Sequence, residues 1–186
     1  LATLRIRREL LDIGLDLKDA SAFNIQFRGS QPVLMDVGSI EVWRPSPGWN
    51  AGRQFIDHFI NPLAVGSSEH VSSADAWRLG SSNGLTSQQA RSLMPSGLRR
   101  RPGLLLLQSS TRAIEGHVPV ETRYEDQATQ NPDLARRATL SYTSRLDKHV
   151  RKLSNAKHKT TWALYGTREH YQPDNLQQKT KWAVDF

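Results

Sequence analysis

The sequence predicts an α+β fold that is mainly helical, with one small β-hairpin near its start, helices after it, and no Rossmann sheet. Two observations and one exclusion lead there. Two short apolar runs, one of them alternating, surround a glycine-containing turn within residues 23–35. Apolar residues at helical spacing then dominate the later stretches. No repeat of roughly 20–50 residues is present, which excludes a solenoid or propeller.

Each element follows in order. Residues 2–15 place Leu4, Leu10, Leu11 and Leu15 among Arg5, Arg7, Arg8 and Glu9, a helical stripe that Gly14 weakens. Residues 17–22 are short and polar enough for a loop. Phe23 to Phe27 alternate as a half-buried strand does, Arg28 to Pro32 supply a turn, and Val33 to Met35 return, ending at Asp36-Val37-Gly38. Trp43 and Trp49 flank a proline loop and read as core or lid packing rather than ligand stacking. From Asn50 a strong helix is expected, with Phe55, Ile56, Phe59, Ile60 and Leu63 on one face and Pro62 near its end, where proline costs least or kinks the helix. Short helices are expected at 74–79 and 87–94, the latter stopped by Pro95-Ser96-Gly97. The tetrad Leu104 to Leu107 reads as the start of a buried helix. A helix over 134–153 aligns Tyr142, Leu146, Val150 and Leu153, and a last one spans about 173–186. The chain thus divides into a helical region with the hairpin (1–110), a polar loop or linker (111–133) and a basic helical segment (134–186).

At 186 residues, 37% hydrophobic and 23% charged, the chain can bury the core of one ordinary domain, or of one with an appended helical piece. Its longest apolar run, Leu104 to Leu107, is far short of the ~20 residues of a membrane span. The lack of cysteine excludes disulfides and thiolate metal sites and fits a reducing compartment, so a cytoplasmic location is expected. The first residues already look helical and no leader is evident, so the chain reads as a piece of something longer. Residues 1–133 carry 14 basic and 14 acidic side chains, whereas residues 134–186 carry 11 against 4. The whole net charge of +7 therefore lies in the last segment. Nucleic acid is a partner class that such charge raises, but a solvated helix face accounts for it more simply. Aromatic interleaving is limited to Tyr142 and Trp162, which gives stacking on single strands little support.

Asp19, Asn24 and Asp36 are the residues that could carry chemistry. Asp19 sits in the loop, Asn24 at the mouth of the first strand, and Asp36 at the end of the second, before Val37-Gly38. Phosphoryl transfer uses such a set: one carboxylate accepts the proton of the attacking hydroxyl, and an amide oxygen and a second carboxylate hold Mg²⁺ against nucleotide phosphates. A plain structural reading stands beside it, in which Asp19 caps a turn, Asn24 bonds to backbone and Asp36 opens a loop. The six histidines make no metal-ligand spacing, Ser21 lacks a nucleophile elbow, and Arg99 to Arg101 read as a solvated charge run.

The D-x4-N and D-x-G spacing resembles the catalytic loop and metal-binding turn of protein-kinase-like phosphotransferases. That resemblance implies a kinase C-lobe-like fold, Asp19 as base, Asn24 and Asp36 on Mg²⁺, and ATP as donor. Leu17-Lys18 and Val37 depart from the family pattern, and no glycine-rich phosphate loop or nucleotide-binding lysine precedes Asp19.

A second resemblance covers more of the chain. Leu17 to Phe27, Pro32 to Asp36, Arg53-Gln54-Phe55, His58-Phe59, Pro62-Leu63, Arg101 to Leu106, and Tyr171, Asp174, Leu176 and Lys179 to Trp182 resemble the region ahead of the catalytic domain in bacterial class I S-adenosylmethionine-dependent methyltransferases of the nodulation-related family. It implies an accessory helical region adjoining a methyltransferase domain in cis, with a small-molecule or macromolecular methyl acceptor. S-adenosylmethionine is implied for the parent protein, and no cofactor residue falls within this chain: Gly14, Gly29, Gly38 and Gly103 are isolated and make no dinucleotide-type fingerprint. The expected role is to position substrate or cover the active site without catalysing alone.

Overall fold

The computed structural model describes residues 1–46, 48–68, 71–100, 131–154 and 173–184. The Leu104 to Leu107 tetrad, most of the 111–133 linker, Trp162 and Tyr171 lie outside the described residues. The chain forms two compact units, Leu1–Ala156 and Lys157–Phe186.

The first unit opens with α1 (Ala2–Asp12), which buries Leu4, Leu11 and, unexpectedly, Arg7. The helix ends earlier than its leucine stripe suggests, because Gly14 takes φ +80°, a conformation in which glycine is unstrained. Leu15 therefore belongs not to the helix but to β1 (Leu15–Leu17), which pairs antiparallel with β4 (Ile40–Val42), Leu17 opposite Ile40. Between them lie a 3₁₀ turn (Ala22–Asn24), the hairpin of β2 (Ile25–Arg28) and β3 (Gln31–Leu34), and a second 3₁₀ turn (Val37–Ser39). Gly29, at φ +61°, makes the two-residue hairpin turn with Ser30. The hairpin stands further out than its alternation suggests. Ile25 is only half-buried, and Phe27 is 71% exposed.

Residues 52–66 form one helical run in three parts: α2 (Gly52–Phe55), a π-helical turn (Ile56–Ile60) and α3 (Asn61–Gly66). Pro62 explains the middle part. It has no N–H to continue the ladder and its ring crowds the preceding turn, so the helix widens ahead of it instead of merely kinking. Phe55, Ile56, Ile60, Ala64 and Val65 are fully buried here, each large one contributing ~1.5–3 kcal/mol. Short helices α4 (Ser73–Leu79), α5 (Ser87–Leu93) and α6 (Ser96–Arg99) then wrap the core through Ala76, Ala90 and Leu98. Thr86 and Gln89 form a capping box at the start of α5.

The long helix α7 (Pro132–Ser154) closes the unit with Leu146 and Val150. A polar network ties it to α1. Arg7, wholly buried, makes a bidentate pair with Asp16 (2.6 and 2.9 Å), donates to Thr143 Oγ1 at 2.8 Å and lies 4.1 Å over the Trp49 ring. Trp49 Nε1 donates to the Leu17 carbonyl at 2.6 Å. Arg136 reaches the end of α1 through the Leu11 carbonyl at 2.8 Å. The second unit contains α8 (Pro173–Val184), whose Trp182 is 64% exposed. Among the described residues no helix is long and apolar enough to cross a membrane.

Candidate functional site

The loop between β1 and β2 carries Asp19 and Asn24, and nearly every backbone N–H in it has a named acceptor. Lys18 N–H donates to the Ser39 carbonyl at 2.9 Å, just past the Asp36 turn. Ala20 N–H donates to Gln54 Oε1 at 2.6 Å, and Ser21 N–H to Asp19 Oδ1 at 2.7 Å. Ala22 N–H points at His58 Nδ1 at 3.4 Å, and Phe23 N–H at Ser21 Oγ at 3.3 Å. Asn24 N–H closes back on the Ser21 carbonyl at 3.2 Å. A loop satisfied in this way is held in one conformation rather than left to solvent.

Its two tertiary anchors, Gln54 and His58, stand four residues apart on the 52–66 helical run. His58 is 3% exposed, in edge contact with the Phe23 ring (6.1 Å between centroids), which in turn packs on Trp77 at 5.6 Å. Burial pushes the His58 imidazole below its ordinary value, and the Asp19 carboxylate partly opposes that shift. Behind His58 the helix presents Asp57, paired with Arg53 at 3.5 Å and accepting from Asn61 Nδ2 at 3.0 Å. Asn61 also donates to the Leu85 carbonyl, and Leu85 N–H returns to the Asp57 carbonyl, so the 84–87 segment is laced to the π turn.

Backbone bonds join the neighbours of the three residues singled out from the sequence. Met35 N–H donates to the Asn24 carbonyl at 2.9 Å, which sets Asp36 next to Asn24. The Lys18–Ser39 bond brings the start of the Asp19 loop to the far side of the same turn. Their side chains are used locally. Asp19 Oδ1 accepts from Ser21 N–H, and Asp36 Oδ1 accepts from Gly38 N–H at 2.9 Å. Each carboxylate therefore caps a turn with one oxygen and keeps a second oxygen without a donor among the described residues. Asn24 Nδ2 is a buried atom with no hydrogen-bond partner, and an orphaned amide of this kind marks a site that a further group could complete. The second oxygens of Asp19 and Asp36 can accept a proton or a hard cation; the amide would have to present Oδ1, not Nδ2, to do the same. Among the described residues no group of three or more His, Asp or Glu side chains is arranged to hold a metal ion.

Sequence reasoning quoted Gln54 and His58 only within a family resemblance and missed the loop contacts they make; their spacing of four on one helix was a further signal. That the His58 ring holds the Asp19 loop was not legible in the sequence.

Over 64 residues the chain is 41% identical to nodulation protein NoeA of Rhizobium meliloti (strain 1021), a stretch that is 34% of this chain and only 13% of that protein. No family model matches the chain. No solved structure matches it.

Proposed function

We propose that this chain is the accessory region of a methyltransferase of the nodulation-related family, positioning substrate or covering the active site of a domain that adjoins it in cis. The similarity to a nodulation protein many times longer than the matched stretch carries this reading.

S-adenosylmethionine would be held by the adjoining domain, and the residues of this chain would act on access and orientation. Calorimetry of the 186-residue chain with S-adenosylmethionine is expected to show no binding, and removal of residues 1–154 from the parent protein is expected to lower kcat/KM for methyl transfer by at least tenfold. Turnover by the chain alone, or a truncated parent as active as the whole, would defeat the accessory role.

The backbone bond from Met35 to Asn24, which sets Asp36 beside Asn24, is the observation behind a second reading. It is a Mg²⁺-dependent phosphotransferase, with Asp19 accepting a proton and Asn24 and Asp36 holding the cation. This reading predicts a rise in melting temperature with Mg²⁺ and ATP that Asp36→Ala abolishes. Identical melts with and without nucleotide would sink it.

A further inference from the structure

We propose that Gln54 and His58 are the positioning residues of the Asp19–Asn24 loop, and that His58 is an acid-released latch that holds the loop only while its Nδ1 is unprotonated. The geometry is specific. Gln54 Oε1 receives Ala20 N–H and His58 Nδ1 receives Ala22 N–H, so two side chains one helical turn apart grip alternate amides of one loop. An imidazole can accept through Nδ1 only when that nitrogen carries no proton. Once it is protonated, two N–H donors face each other and the Ala22 contact is lost.

Burial opposes the protonated ring, and the charges around it are few. The loop presents the Asp19 carboxylate, the charge that interacts with the ring. From the helix itself, Arg53 and Asp57 are paired with each other. From the 84–87 segment it is Gly84 that lies against the ring, where an added Cβ would sit 2.8 Å from His58 Cδ2, and it brings no charge. On the Phe23 side stands Trp77, also uncharged. An imidazolium at this position therefore has Asp19 as its counter-ion, whose second oxygen is not used by Ser21 N–H. One proton so releases the Ala22 amide while the Ser21 turn stays capped.

The direction in pH follows. Burial holds the folded imidazole below its ordinary 6.5, so the latch is closed at neutral pH and opens on acidification below that value. Gln54 does not titrate and grips Ala20 at every pH. The latch belongs to the loop and its helix, whatever the adjoining domain catalyses.

Hydrogen exchange of the full 186-residue chain, corrected for intrinsic rates, tests this between about pH 7.5 and about pH 5. Protection at Ala22 is expected to fall about fivefold on acidification, while Ala20 and the amides of α1 and α7 keep theirs. His58→Asn places a non-titrating acceptor where Nδ1 stood and is expected to flatten the pH response. Gln54→Ala is expected to lower protection at Ala20 equally at all pH values. A flat wild type, a His58→Asn variant with the same acid response, or unaltered Ala20 protection in Gln54→Ala would overturn the proposal. Should the His58 variant fail to fold, a proton–nitrogen titration of the wild type decides it. The His58 ring and the Ala22 amide are expected to shift with one shared midpoint below 6.5. An Ala22 amide that stays still while His58 titrates, or a His58 that never titrates before the chain unfolds, refutes the latch.

Discussion

Arg7→Met tests the packing logic of the first unit. Arg7 has a wholly buried side chain and Asp16 one that is 13% exposed, joined by two hydrogen bonds. Methionine keeps the apolar stem of the side chain but leaves the carboxylate of Asp16 in a nearly dry site with only the Leu17 N–H at 2.8 Å for compensation. Removing one partner of such a pair costs ~3–5 kcal/mol, chiefly through the charge left behind. The loss of the cation over Trp49 acts in the same direction. Thr143 is spared, because its hydroxyl still donates to the Thr139 carbonyl at 2.9 Å. For a unit of this size the expected drop in Tm is roughly 10 °C, read by far-UV circular dichroism, with urea unfolding giving the free energy. Arg7→Met combined with Asp16→Leu removes both charges and is expected to recover at least ~2 kcal/mol relative to the sum of the single changes. A single-variant cost below ~1 kcal/mol, or strict additivity in the double variant, would refute the claim that the buried pair organises this core.

Other outcomes follow from particular contacts. Gly84→Ala, at φ +79° and with its Cβ 2.8 Å from Asp57 and His58 atoms, is expected to cost about 3 kcal/mol in urea unfolding; a neutral variant would show that the 84–87 segment does not sit against the π turn. Burial raises the Tyr142 hydroxyl above its ordinary 10.0, so the unfolded chain loses this proton first as the solution becomes alkaline. The stability Tyr142 contributes is therefore full below pH 10 and declines above it; Tyr142→Phe should flatten that alkaline decline, and an unchanged profile would contradict the assignment. Phe27→Ser, on a side chain 71% exposed, is expected to change stability by less than ~0.5 kcal/mol, and a larger loss in the same unfolding assay would place the hairpin tip in the core.

The parts of the fold legible in the sequence are those set by local pattern. The face of Phe55, Ile56 and Ile60 and the face of Leu146 and Val150 are buried as their spacing indicates. The hairpin, α4 and α5 fall where their turn residues and short stripes put them. β1 and β4 were not legible, since three residues cannot show a period and each strand exists only by pairing with the other across residues 18–39. Arg7 was hidden for a related reason. In sequence it looks no different from Arg5 and Arg8, and its burial depends on Asp16, Trp49 and Thr143 arriving from three other elements. At the candidate site, Asp19, Asn24 and Asp36 were visible as residue types at a suggestive spacing. Gln54 and the loop contact of His58 were not, because a helix stripe does not reveal what its polar positions hold.

The bond from Arg7 to Thr143 spans 136 residues of chain, and this separation governs how the protein emerges during synthesis. At ~5–20 residues per second, a nascent chain waits on the order of ten seconds between the appearance of Arg7 and that of its distant acceptor. Throughout that interval Leu146 and Val150 are also missing, so the core they complete stays wet and the exposed apolar hairpin stands beside it. The Arg7–Asp16 pair, only nine residues apart, can close early and mark the place where α7 docks. Newly made chains stalled before residue 143 should accordingly bind cellular holding factors and fall to protease, whereas chains released after residue 154 should resist both.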